Sequence, residues 1–264
     1  MQRKIGMPAR TRFAKAARAV RRGAPLLILV AVAEPAQARC SDAPRAGVDW
    51  TGCSKPQLML SNDDLSGALF TKANLGATDF ARSKLSAAKL DEAEVSFAKF
   101  EGADLSGADL TKAVGWRVNF ARANLQKARL HVAQMIRSNF TQAKFAGADL
   151  SKSEMNRSDF SGADLSGVDM SKAELARVVF ANVRLSGANV SYANLSRANL
   201  TGADFDGVNM TGAYLFLTNL RGANLSRANG LTQAQIDLAC GTPETKLPAA
   251  LKPPKDWPCT DEDE

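Results

Sequence analysis

The chain has 264 residues, 45% hydrophobic but only 6% aromatic, and a formal net charge of +7 at pH 7. That charge is not spread along it: eight of the 34 basic residues and one of the 27 acids precede residue 39, and residues 39–264 carry 26 of each sign. A body that is formally neutral gives no electrostatic argument for nucleic acid, and a single histidine, His131, leaves no histidine-based triad or histidine-rich metal centre.

Arg3, Lys4, Arg10, Arg12, Lys15, Arg18, Arg21 and Arg22 come before a short apolar run from Pro25 to Ala33, and Ala36-Gln37-Ala38 supplies small residues for cleavage. The run is shorter than the ~20 apolar residues a spanning helix needs. Residues 1–38 are therefore expected to be a signal peptide removed on export, leaving a periplasmic or secreted protein with no membrane span after processing. Export also bears on the four cysteines, Cys40, Cys53, Cys240 and Cys259, because disulfides persist in oxidising compartments. Four cysteines allow three connectivities, and proximity in sequence favours Cys40 with Cys53 and Cys240 with Cys259. Residues 39–57, with Val48 and Trp50 in phase with the repeats beyond them and Lys55-Pro56 out of phase, are expected to cap the N-terminal end.

From residue 58 to residue 230 one pattern dominates. Of the 33 positions divisible by five between Leu65 and Leu225, 32 carry Leu, Phe, Met or Val, with Gly115 the exception. Two residues earlier the side chain is Ala, Ser, Thr or Val in 32 of 33 cases, Asp63 being the exception. Apolar spacing of two, then three, then two fits neither a 3.6-residue helix nor sustained strand alternation. Gly, Asn, Asp and Ser at this density also compete with a helix interior. A coiled solenoid satisfies both facts: each five-residue unit forms one side and turns a corner, with the large and the small apolar residue pointing inward. Phe80, Phe100, Phe120, Phe140, Phe160 and Phe180 recur every twenty residues. Four sides therefore make one coil, and these phenylalanines are expected to stack as a core ladder.

Units such as Ala103-Asp104-Leu105-Ser106-Gly107 and Ala198-Asn199-Leu200-Thr201-Gly202 resemble the pentapeptide-repeat family, as do some 170 residues around them. The resemblance implies an all-β solenoid, a right-handed quadrilateral β-helix. Some members bind DNA gyrase as DNA mimics, so the resemblance also admits a protein acting on a topoisomerase. A signal peptide and a neutral mature charge oppose that reading, since mimicry needs an acidic rod.

After the repeats, Thr232 and Gln235 form a T-x-x-Q capping box with Leu231 and Ile236 at the staple positions, and Gly241 follows as a stop. A short helix over 233–240 is expected. With the proline-rich stretch to Cys259, residues 231–264 are read as the C-terminal helix and cap.

No G-x-S-x-G, H-E-x-x-H or G-x-x-x-x-G-K-[ST] motif occurs. His131 follows a core leucine and is expected at the surface. Asp104, Asp149 and Asp164 recur where asparagine also occurs, as solvated or turn-bonding residues. The sequence thus points to no enzyme, no catalytic residues, no cofactor and no metal. What exceeds the repeat is outward: Arg117, Arg137, Arg157, Arg177 and Arg197 fall twenty apart, with Lys112, Lys152 and Lys172 one side before them. Trp116 and Ile136 stand where the repeat normally places a small polar residue. Glu154 and Glu174 share that side, in position to pair with Arg157 and Arg177. The expectation is an exported scaffold or binding module whose stripe of Trp116, Arg117, Ile136, Arg137, Arg157, Arg177 and Arg197 takes a protein or an anionic envelope polysaccharide. Tyr214, Phe216 and Leu217 are also outward by phase, for a place under the C-terminal helix or for a homodimer face.

Overall fold

The computed structural model describes residues 39–257, all within the compact unit Gln37–Glu264. The expected signal peptide, Cys259 and the acidic residues after it lie outside the described residues. The backbone winds in coils of twenty residues, each residue at the centre of a side pairing in parallel with the residue twenty further on. One such column runs from Asp49 through Leu69, Lys89, Asp109 and Arg129 to Asn229 in nine single-residue bridges. At ~4.8 Å per step this is a rod roughly 43 Å long.

One unit shows why five residues suffice and why asparagine and aspartate recur. Asn139 N–H donates to Val118 O in the coil below (2.9 Å), while Phe140 N–H and Gln142 N–H donate to Asp159 O and Ser161 O in the coil above (2.7 and 3.0 Å). Ala143 N–H closes the corner onto Phe140 O at 3.0 Å. The one donor left, Thr141 N–H, goes to Asn139 Oδ1 at 2.9 Å. Every N–H of the unit is satisfied, which buried or half-buried backbone requires. The same carboxylate or amide contact recurs from Asp104 to Ser106, Asp149 to Ser151 and Asp164 to Ser166, so the turn-bonding reading of these residues holds. The second corner residue adopts φ between 52° and 70° from coil to coil, glycine at many corners but also Lys112, Arg117, Arg137 and Arg157.

The core follows the phase read from sequence. All six ladder phenylalanines are buried; Phe80, Phe100, Phe120, Phe140 and Phe160 stack with ring centroids 4.7–5.0 Å apart and interplanar angles of 14° or less. Phe180 sits 5.1 Å from Phe160 but tilts by 37°.

Among the described residues only two places extend beyond single bridges, β1 (Val114–Trp116) and β2 (Gln134–Ile136), which pair in parallel with Gly115 opposite Met135. Gly115 is an accommodation to its neighbours. A Cβ placed there would lie 2.6 Å from Val118 Cγ2 and 2.8 Å from Met135 Sδ, so the methionine fills the space the glycine leaves. Restoring a side chain with Gly115→Ala is expected to lower stability by ~1–3 kcal/mol through overpacking. Urea denaturation measures this, and an unchanged midpoint would show the site has room.

The coil geometry already holds inside the stretch expected as an N-terminal cap: Asp49 bridges Leu69 and Ser54 bridges Asn74, with Val48, Trp50 and Cys53 buried. Lys55-Pro56 does not interrupt it, because Lys55 N–H still donates to Asn74 O and Gln57 takes the positive-φ corner. Cys40 and Cys53 are joined by a disulfide, and Trp50 donates its indole N–H to Asp42 O. Cys240 is also disulfide-bonded.

At the other end, helix α1 is Gln233–Ile236, shorter than the expected 233–240. Thr232 and Gln235 form the capping box, and Gln235 Nε2 also donates to Met210 O and Ala213 O of the last coil. The helix stops early because the chain is drawn back into pairing: Cys240 N–H donates to Thr218 O and Cys240 O accepts from Leu220 N–H. Gly241 does not take the left-handed conformation of a helix stop. It leaves room for Trp257, whose ring atoms would lie 2.3–2.6 Å from a Cβ there.

Candidate binding face

One side of the rod carries the unusual residues. Its centre column runs Glu94, Val114, Gln134, Glu154, Glu174, Asn194, Tyr214, joined coil to coil in parallel. The corner after this side brings Arg117, Arg137, Arg157, Arg177 and Arg197 into one exposed column, each at a positive-φ position with φ between 53° and 61°. The corner before it carries Lys112, Lys152 and Lys172, also exposed.

At the N-terminal end of the arginine column is a cluster only partly legible in sequence. The Arg117 guanidinium lies 4.4 Å from the Trp116 ring centroid, a cation–π distance. Phe97 packs edge-on against Trp116 at 5.4 Å and is itself 50% exposed. Phe97, like Trp116, is a large apolar residue at an outward position of the repeat, and it is not among the residues singled out from the sequence. Its outward phase and its place one coil below Arg117 in the arginine column are the signals that find it. Trp116 and Val114 are exposed and Ile136 is half-buried. Val114 carries no side-chain oxygen to close its corner, and Trp116 N–H donates to Ser96 Oγ of the preceding coil instead.

The ion pairs expected within this side do not form. Arg117, Arg137, Arg157 and Arg177 make no salt bridge among the described residues. Glu154 instead faces Gln134 Nε2 at 3.5 Å, and Glu174 accepts from Asn194 Nδ2 at 2.8 Å. The physical reason is the stacking. The nearest outward neighbour of a centre residue is its counterpart one coil away, while the arginines lie around the corner.

Tyr214 and Phe216 are exposed beside the C-terminal segment rather than covered by it, their rings nearly parallel with centroids 6.1 Å apart. Leu217 is half-buried and donates its N–H to Leu238 O; with Phe216, Asp237 and Asp256 it lines a shallow cleft. His131 is half-buried, its Nδ1 2.8 Å from Ser151 Oγ. No group of three or more His, Cys, Asp or Glu is placed to hold a metal ion among the described residues. No helix among them is long and apolar enough to cross a membrane.

The perturbed carboxylates sit on other sides. Asp164 is held below its ordinary value first by the Ser166 hydroxyl, against the opposing effect of burial, and further by Ser166 N–H and by Arg184 at 3.0 Å. At Asp109 burial acts to raise the value but is outweighed by hydrogen bonding from Thr111 and the charges of Arg129 and Lys89, so it too ends lowered. A lowered folded-state value means the stability these groups add is present above the unfolded carboxylate range and is lost as pH falls through the folded one. Melting temperature should therefore drop below about pH 4, and Asp109→Asn with Asp164→Asn should flatten that drop. An identical acid limb in the double variant would refute the assignment.

Comparison with known proteins accords with this geometry. The family model described as a pentapeptide repeat region matches residues 133–210, and that described as pentapeptide repeats (8 copies) matches 64–97, 98–133 and 193–229. Together they run from 64 to 229. No curated protein matches. Among solved structures, HetL, a pentapeptide-repeat protein involved in heterocyst differentiation regulation in the cyanobacterium Nostoc, is 28% identical over 75% of this chain and 93% of its own, with a TM-score of 0.40. QnrB1, a plasmid-mediated fluoroquinolone resistance protein, is 17% identical over 76% and 94%, with a TM-score of 0.49. A pentapeptide-repeat protein of the Arabidopsis thaliana thylakoid lumen is 34% identical over 40% and 68%, with a TM-score of 0.19. On the family models, which together cover more than half of its length, the chain belongs to the pentapeptide-repeat family.

Proposed function

We propose that this protein is an exported, non-enzymatic scaffold that binds a macromolecular partner through the arginine-bearing face of a right-handed β-helix closed by its terminal segments. The observation that carries the reading is that Arg117, Arg137, Arg157 and Arg177 make no ion pair among the described residues, beside exposed Trp116 and Phe97. Guanidinium groups repeated at a coil spacing of about 5 Å lie within the Debye length of roughly 8 Å and repel one another. A face that only had to stay solvated has no need of that arrangement, and arginine with tryptophan is a frequent pairing at interface hot spots. The Cys40–Cys53 disulfide supports an oxidising compartment. An acidic DNA-like rod is not what this face offers.

The test is capture from an envelope extract by the wild-type protein and by Trp116→Ala and Arg137→Glu variants, each first shown to keep its melting temperature. Loss of one or more partners in both variants, with capture weakening as salt rises, is expected. Unchanged capture of every partner would leave the stripe as plain surface.

A further inference from the structure

Ten large apolar side chains remain exposed among the described residues, and their distribution is uneven. Phe97, Val114 and Trp116 lie at one end of the arginine-bearing face, and Tyr214 and Phe216 at its other end. Val132 and Tyr192 stand on its lysine edge, in the column of Lys112, Lys152 and Lys172. Leu238 lies directly beyond Leu217, to which it is hydrogen-bonded. Only Met59 and Leu69 are elsewhere. Trp116 and Phe216 are five coils apart, about 24 Å along one flat side.

From this we infer that the face docks on the surface of an anionic lipid bilayer. The inference rests on the binding-face reading above and names its partner. Two aromatic clusters this far apart on one plane, with a row of lysines along one edge and a row of arginines along the other, need a partner that is flat, anionic and able to take apolar groups at its boundary. Tryptophan and tyrosine favour the headgroup level of a membrane, and lysine and arginine bury their stems there while the charge stays in water. A peptide lying along the centre column would run onto Glu154 and Glu174 between the clusters. Against a bilayer those two carboxylates stay in the hydrated headgroup layer between the two cationic rows. Because only side chains enter the interface, the attachment is shallow, reversible and salt-dependent.

The experiment uses full-length protein with vesicles of phosphatidylglycerol and phosphatidylcholine, with vesicles of phosphatidylcholine alone, and with soluble polyglutamate. Trp50 and Trp257 are common to both proteins and residues 1–38 contain no tryptophan, so the fluorescence difference between wild type and Trp116→Phe reports on the surroundings of Trp116 on this face. A blue shift of that difference signal is expected only with the anionic vesicles. Arg137→Gly should weaken it about fivefold, as one cation removed near a charged surface. Glycine suits the φ of 54° at residue 137, so this variant keeps the fold. Absence of the shift with anionic vesicles while polyglutamate binds in an Arg137-dependent way overturns the bilayer and leaves the binding face standing. Absence of both overturns the two readings together. An equal shift with phosphatidylcholine alone overturns the electrostatic basis of the docking.

Discussion

Phe140→Asp is expected to unfold the middle of the rod. The ring is fully buried between Phe120 and Phe160, at centroid distances of 5.0 and 4.7 Å, with Phe145 at 5.5 Å on its flank. Truncating a buried phenylalanine alone costs ~3–5 kcal/mol. A carboxylate left there has no donor and no counter-charge, which adds to that cost. Asn139→Asp, one residue away and facing outward, keeps the oxygen that accepts from Thr141 N–H and should stay within ~0.5 kcal/mol of wild type. Thermal and urea melts of the pair decide the matter. Two equally harmless substitutions would mean that the inward and outward phase of the coil is wrong.

The second large effect belongs to the N-terminal end. Cys40 and Cys53 are thirteen residues apart, and on the loop-entropy model a bridge of that size is worth about 3 kcal/mol. A solenoid's stability is a sum over neighbouring coils, so the loss in Cys40→Ser should be local. Trp50, Cys53 and Val48 close the bottom of the core, with Trp50 packed 5.6 Å from Phe70. Hydrogen exchange should therefore speed up over residues 45–65 while the amides around Phe140 stay protected. Uniform loss of protection along the rod would instead show that the coils unfold as one block.

What the sequence reveals and what it hides separate along a physical line. A residue whose fate is set by the repeat can be placed from the count alone: the phenylalanine ladder, the small residue two positions before each core residue, and the turn-bonding Asn and Asp. Residues whose fate depends on what stacks one coil away cannot. Glu154 and Glu174 are in position for Arg157 and Arg177 by chain proximity, yet their side chains meet Gln134 and Asn194, twenty residues distant. Phe97 is visibly outward at its own corner, but that it packs against Trp116 depends on the next coil. Gly115 is a lapse in the sequence pattern, and only the fold shows Met135 filling its space. The ends are least legible. The coil begins near residue 47, inside the stretch expected as a cap, and the helix gives way after Ile236 because pairing with Thr218 and Leu220 competes for the backbone of Cys240.

The pairing of each centre residue with the one twenty further on also governs which changes in length the protein tolerates. Gaining or losing five residues keeps every core position inward, so the chain still folds, but everything beyond the change is turned by one side. Inserted after Phe145, five extra residues would leave Arg117 and Arg137 on their original edge and carry Arg157, Arg177 and Arg197 to the next. A gain of twenty after the same residue adds a complete level and leaves every column in line. Growth by whole coils therefore lengthens the cationic edge without disturbing it, and any other multiple of five divides it between two edges.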